Sequence, residues 1–217
     1  MKTPKAAGGV RLAGVRVATR RIATASLAAL GLACAAPASA DDQKIPEIVT
    51  SVCAACHGLD GIGVAPTFPK LAGLHPEYIA NELRVFRSGK RKSDIMAPIV
   101  AGIDPRDYKA LGEYYGRQKP APGTVLDRQA ADAGRKLYLE GNEQTGVPAC
   151  AGCHEDDASG GKRFPRLAGQ HREYLLEQME KFRKDVRNND SAHVMRALAK
   201  RMTDFEIKSV VEFLVGL

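Results

Sequence analysis

Apolar residues recur three and four positions apart in four stretches of this chain, and each stretch carries its own start signal. Ile79, Leu83 and Phe86 line one face after His75-Pro76, with proline at the first helical position and Gly89 as the stop. Leu175, Met179 and Phe182 repeat that pattern after Arg172. Asp104 is an N-cap followed by Pro105, and Tyr108, Leu111 and Tyr115 face inward before Gly116. Thr203-Asp204-Phe205-Glu206 is a capping box in front of Ile207, Val210, Val211 and Leu214. No stretch alternates strongly enough to read as a strand, so the expected class is all-α.

Two of these helices are copies of the other two. Phe68-Pro69-Lys70-Leu71-Ala72-Gly73-Leu74-His75 recurs as Phe164-Pro165-Arg166-Leu167-Ala168-Gly169-Gln170-His171, at an offset of 96. Between the copies, Arg117 to Thr124 is rich in proline and glycine and reads as a linker. A chain of 217 residues suits two small domains of about 100 residues each, expected here over 41–118 and 119–217.

The formal net charge of +7 invites a nucleic-acid or anionic-membrane partner, but its location removes that reading. Lys2, Lys5, Arg11, Arg16, Arg20 and Arg21 carry the excess, and residues 41–217 hold 26 basic against 25 acidic side chains. No nucleic-acid partner is therefore expected. Met1 to Arg21 is instead the basic region of a secretory leader, Ile22 to Ala36 its apolar run, and Ala38-Ser39-Ala40 its cleavage site. The residues after Arg20-Arg21 fit a twin-arginine signal poorly, so Sec-type export to the periplasm is expected, with cleavage near Ala40. Cys34 would be lost with the leader, because Gly31-Leu32-Ala33 is a poor lipobox.

The four remaining cysteines lie in Cys53-Ala54-Ala55-Cys56-His57 and Cys150-Ala151-Gly152-Cys153-His154. Cysteines three positions apart share one side of a helical turn and can reach both vinyl groups along one haem edge, while the next histidine points at the iron. A thiol-redox pair or half of a zinc site would leave that histidine unexplained, twice. The motif therefore reads as covalent attachment of two c-type haems, each with its iron. Export suits this chemistry, since bacteria attach such haem outside the cytoplasm.

Cys-x-x-Cys-His, then Pro-x-Leu-Ala-Gly, then a methionine shortly before a C-terminal helix, resembles a class I cytochrome c domain. Two in tandem behind a leader resemble the dihaem cytochrome c4 family, over essentially all of the mature chain. The resemblance implies two small helical folds, each wrapped around one covalent haem c. It implies His57 and His154 as proximal ligands, the carbonyls of Pro69 and Pro165 as acceptors from their other ring nitrogens, and Leu71 and Leu167 on the haem faces. A plain turn is the alternative role for the two prolines.

For the sixth ligands, Met96 is alone in its half, in the loop before the last helix. Met179, Met195 and Met202 compete in the second half. Met179 lies on the apolar stripe, and at the repeat offset of 99 Met195 falls on Met96 whereas Met202 falls on Ile103, so Met195 is the expected ligand. His193 is the dissenting candidate, two residues earlier in a longer loop. His75 and His171, each directly before a helix, are expected to cap it.

Methionine opposite histidine favours the ferrous state and fills both axial positions, which suits an electron carrier rather than an enzyme. The resemblance implies a soluble or peripherally membrane-associated carrier between a quinol-oxidising cytochrome bc complex and a terminal oxidase or reductase. Two departures qualify it. Gly134 and Tyr138 supply the opening-helix contact in the second half, but the first half has only Asp41 to Val52 before its motif, and Glu155-Asp156-Asp157 stands after the second motif where the first has Gly58. A short opening segment also occurs in the dihaem subunit of flavocytochrome c sulfide dehydrogenases, so the alternative is an electron-accepting subunit of a periplasmic dehydrogenase. A dihaem enzyme such as a peroxidase or thiosulfate dehydrogenase would need an open or unusually ligated haem.

Overall fold

Caps and apolar stripes set where each helix begins and ends. The computed structural model describes residues 40–217, and side chains from Gln43 onward; the expected leader, with Cys34, lies outside the described residues. In the first half α1 (Ala40–Ile48) runs through a π turn (Val49–Cys53) into α2 (Ala54–His57). α3 (Pro76–Arg87) starts on His75, whose Nδ1 accepts the Glu77 N–H at 3.3 Å. α4 (Met96–Ala101) is followed by α5 (Tyr108–Gly116). Asp104 and Pro105 open a separate 3-10 turn, Pro105–Asp107, rather than α5 itself, because the Tyr108 N–H reaches back to the Pro105 carbonyl.

The second half contains α6 (Arg128–Glu140), α7 (Ala151–His154), α8 (Arg172–Arg183), α9 (Val194–Arg201) and α10 (Asp204–Val215). Thr203 and Glu206 complete both bonds of the capping box at α10. Two expectations change. Met96 and Met195 open the short helices α4 and α9 instead of lying in loops. His171 makes no side-chain bond to α8; its Nε2 lies 2.9 Å from the Ile62 carbonyl of the other half.

Each half has its own apolar core. Val49, Ile79, Tyr108, Leu111 and Tyr115 pack together in the first, and Leu137, Tyr138, Leu175, Met202, Val210 and Leu214 in the second. The closest helix approach differs between them. α6 crosses α10 at Gly134, where a Cβ would lie 1.9 Å from the Ser209 carbonyl, so only glycine fits. The shorter opening segment cannot make that crossing. There α5 presses on the start of α3 instead, with a Cβ on Gly112 meeting the Pro76 carbonyl at 2.3 Å.

The halves meet through a buried polar cluster with approximate two-fold symmetry. Arg91 and Arg187, Tyr78 and Tyr174, Phe86 and Phe182, and Glu82 and Gln178 are pairs at the offset of 96. Each guanidinium stacks on the phenylalanine of its own half, at 4.7 Å for Arg91 and 4.6 Å for Arg187. Each also reaches the tyrosine hydroxyl of the opposite half, at 2.8 Å for Arg91 to Tyr174 and 3.2 Å for Arg187 to Tyr78. Glu82 breaks the symmetry. Its carboxylate pairs with Arg91 and, at 3.4 Å, with Arg187, while Gln178 offers both arginines only an amide oxygen. Lost hydration and the Glu82 charge push the Tyr78 hydroxyl up to about 12, so it stays a neutral acceptor. Gln170 adds a second seam by bonding both backbone groups of Lys70, at 2.8 and 3.0 Å.

The linker is tied down. The Ala121 carbonyl accepts Lys70 Nζ at 2.7 Å, the Gly123 N–H donates to the Val215 carbonyl at 2.7 Å, and Arg172 reaches the Thr124 carbonyl at 2.9 Å. Proline and glycine here serve a fitted path rather than a free tether.

The loop after each motif repeats the same backbone with different residues. Gly58 has φ 76° and ψ 157°, and Glu155 in its place has φ 68° and ψ 158°. That region is nearly confined to glycine, so Glu155 is strained by about 1–3 kcal/mol. Glu155→Gly is expected to stabilise the protein by about 1 kcal/mol, read as a higher urea midpoint.

Two further outcomes follow from the packing. Glu82→Gln leaves two buried arginines without a carboxylate and should cost about 3 kcal/mol, whereas Gln178→Glu should cost far less or stabilise, measured by urea unfolding. Burial works against the Glu206 carboxylate, but donors from Thr203, Asn142 and Thr145 outweigh it and hold its pKa low. The Arg172 guanidinium holds Glu212 low as well. Groups lowered on folding stabilise fully above the unfolded value, about pH 4.3, and lose that contribution as pH falls through the folded values. Between about pH 5 and about pH 3 the thermal midpoint of the wild type should fall more steeply than that of a Glu206→Gln/Glu212→Gln variant.

Candidate functional site

Both motifs lie on one short helical turn, and that turn sets the directions of their side chains. α2 and α7 end on His57 and His154, which are 8% and 6% exposed. Nδ1 of each ring is 3.0 Å from a carbonyl, Pro69 for His57 and Pro165 for His154. A carbonyl can only accept, so Nδ1 carries the proton and Nε2 keeps its lone pair. Burial pushes both imidazole pKa values down, against the opposing pull of those carbonyl bonds. Each ring is thus neutral, fixed in tautomer and open at one nitrogen, the state in which imidazole binds a metal.

The loop between motif and proline is held by backbone bonds. The His57 carbonyl accepts from Gly63 at 2.9 Å and the His154 carbonyl from Gly160 at 3.0 Å. Leu71 and Ala72 donate to the Gly61 carbonyl at 2.7 and 3.1 Å, and Leu167 and Ala168 to Ala158 at 2.8 and 3.1 Å. The proline segment therefore returns to the same place beside each histidine. Leu71 and Leu167 are half-buried, each at the edge of its own core.

The four motif cysteines are free thiols rather than disulfides. Burial pushes the Cys150 thiol up to about 11 and raises Cys53 as well. A thiol-redox pair needs the opposite, a lowered thiol. Among the described residues no three His, Cys, Asp or Glu side chains converge as a metal-ion site, so a zinc reading lacks its donor set. Two thiols and one neutral imidazole on a single turn are the donors that covalent haem attachment requires, and they fit it.

Met96 is half-buried at the first position of α4, and its N–H is held by Ser93 Oγ at 3.0 Å. Met195 is half-buried at the second position of α9. Met179 packs at the edge of the second core and Met202 inside it, at 6% exposure. His193 is exposed, with φ 61°, and its Nδ1 lies against the Arg196 guanidinium three residues on. Glu155, Asp156 and Asp157 are exposed, and Asp157 caps the Ser159 N–H at 2.9 Å.

Some contacts at the sites had no separate sequence signal. Tyr115 Oη lies 3.2 Å from the Gly58 carbonyl and Tyr138 Oη 2.7 Å from the Glu155 carbonyl, although these tyrosines do not align in the repeat. The cross-half arginines and tyrosines do align, and the constant offset of 96 could have marked them.

The Cytochrome c family model matches residues 43–129 and 131–217. Cytochrome c4 of Thiocapsa roseopersicina is 40% identical over 186 residues, 84% of this chain and 96% of that protein. The thiosulfate dehydrogenase electron acceptor of Thiomonas intermedia is 36% identical over 186 residues, 84% of each chain. The crystal structure of reduced recombinant cytochrome c4 from Pseudomonas stutzeri superposes with a TM-score of 0.75 at 32% identity, over 83% of this chain and 100% of that one. Two tandem cytochrome c domains, each with its own haem-attachment turn and buried histidine, make this chain a member of the cytochrome c4 family of dihaem electron-transfer proteins.

Proposed function

We propose that this protein is a periplasmic shuttle that takes electrons from a quinol-oxidising cytochrome bc complex and delivers them to a terminal oxidase or reductase. The observation that carries the reading is the repetition of one unit: a neutral, buried imidazole on a proline carbonyl at 3.0 Å, in both halves. Haem c, when bound, supplies a one-electron iron couple. In this reading His57 and His154 hold the irons through Nε2, and Pro69 and Pro165 keep the rings from turning. Cys53, Cys56, Cys150 and Cys153 provide the covalent tethers.

Met96 and Met195 would also hold the irons, through their thioether sulfurs, and their half-burial at the start of a helix supports this. A thioether raises the potential and closes the iron to substrate, which suits transfer without bond making. Leu71 and Leu167 exclude water from the haem faces. The proposed domain limits remain 41–118 and 119–217, behind a cleaved leader. No helix among the described residues is long and apolar enough to cross a membrane, which is compatible with a soluble or peripheral carrier.

A second reading is favoured by one finding, the relative named as a thiosulfate dehydrogenase electron acceptor. On that reading the donor is a periplasmic dehydrogenase. Stopped-flow reduction separates the two: the shuttle is expected to be reduced rapidly by bc complex with quinol and slowly by a thiosulfate- or sulfide-oxidising enzyme with its substrate. The reverse order would replace the first reading by the second.

The ligand set has its own check. The holoprotein should give two haems per chain in a pyridine haemochrome count, with the weak far-red ferric band of thioether-ligated iron. Met96→Ala and Met195→Ala should each remove about half of that band and lower the potential of one haem only. A band untouched by Met195→Ala but lost in His193→Ala would reassign the second ligand.

A further inference from the structure

The two halves hold the turn after the haem-attachment motif by one and the same bond, delivered from unrelated places in the fold. In the first half the donor is Tyr115 on α5, the last helix, 3.2 Å from the Gly58 carbonyl. In the second it is Tyr138 on α6, the first helix, 2.7 Å from the Glu155 carbonyl. Gly58 and Glu155 are equivalent, each directly after the motif histidine, but the tyrosines are not. The repeat partner of Tyr115 is Leu214, and at the motif offset of 97 Tyr138 falls on Asp41.

Copies of one ancestral half would share such a bond by descent if the tyrosines aligned. They do not, so the requirement lies with the carbonyl. That carbonyl closes the turn carrying the histidine. The N–H of the same residue donates back to the motif helix, Gly58 to Ala54 at 3.0 Å and Glu155 to Ala151 at 2.9 Å. The carbonyl also takes a backbone N–H from three residues on, at 3.4 Å from Gly61 and 3.0 Å from Ala158. Both rings are deeply buried, at 2% and 0% exposure, and so cannot swing away. Strain in the second half makes the tie more needed: Glu155 occupies a conformation suited to glycine, and the shorter bond is the one it receives.

We infer that Tyr115 and Tyr138 are positioning residues for electron transfer, each fixing through the post-motif carbonyl the histidine turn of its own half and thereby the potential of its own haem. This rests on the ligand reading above. The hydroxyl proton is the positive end of a dipole on the motif side, so its loss should favour the ferric state.

The experiment uses full-length holoprotein carrying Tyr115→Phe, Tyr138→Phe or, as control, Tyr108→Phe. The Tyr108 hydroxyl is equally buried and donates to the Val100 carbonyl at 3.2 Å, away from either motif turn. Spectroelectrochemical titration resolves the two one-electron steps. Tyr115→Phe and Tyr138→Phe should each lower a different step, changing the ratio of reduced to oxidised haem at fixed ambient potential by about two- to tenfold, the range one hydrogen bond supplies. A variant that loses haem from its own half alone also upholds the inference. Tyr108→Phe should weaken thermal stability and leave both steps in place. Unmoved steps in both test variants, one variant moving both steps equally, or a control that shifts them as much would overturn it. A wild-type protein with fewer than two haems, or without the thioether band, would instead sink the ligand reading beneath it.

Discussion

Each half depends on one hydrogen bond, from a buried imidazole Nδ1 to a proline carbonyl. An imidazole with nothing on Nδ1 could exchange tautomers and rotate, and its Nε2 would have no fixed direction. The carbonyl removes both freedoms. It can do so only if the chain between histidine and proline returns to the same point, and the backbone bonds of that loop make it return. Burial completes the arrangement by keeping the ring neutral.

Around that shared unit the halves solve their packing differently. The second uses a long opening helix that crosses α10 at Gly134, and the first, lacking one, drives α5 onto α3 at Gly112. A π turn leads directly into the first motif, whereas an Asn142–Val147 bridge precedes the second. The duplication has preserved the donor geometry while the supporting scaffold has drifted. Where the scaffold changed most, an unrelated tyrosine restores the same contact.

The interface adds a constraint that neither half contains alone. Two arginines share the Glu82 carboxylate, with Gln178 as a neutral substitute for the second acid. Such a cluster is worth little as net stability, because desolvating the ions costs nearly what their attraction returns. Its stronger effect is on geometry, since misalignment strands buried charge. Bonds from Gln170 and His171 into the first half act in the same direction, and together they fix one relative placement of the two sites.

Residue patterns alone determined the helical class, the duplication and the two attachment turns, because periodicity, motif spacing and repeat offset are properties of the linear chain. They also identified Met202 as core, and it is buried. Contacts between distant segments were decided only in the fold. His171 looked like a cap, yet its ring crosses to Ile62 because the second half brings that carbonyl within reach. Met96 and Met195 looked like loop residues, and local backbone bonding wound them into short helices. The linker was legible as a proline- and glycine-rich connector, but only the fold shows that packing on both halves holds it. The tyrosine–carbonyl bonds were invisible for the same reason: their residues stand 57 and 17 positions apart in the chain, and no local pattern links them.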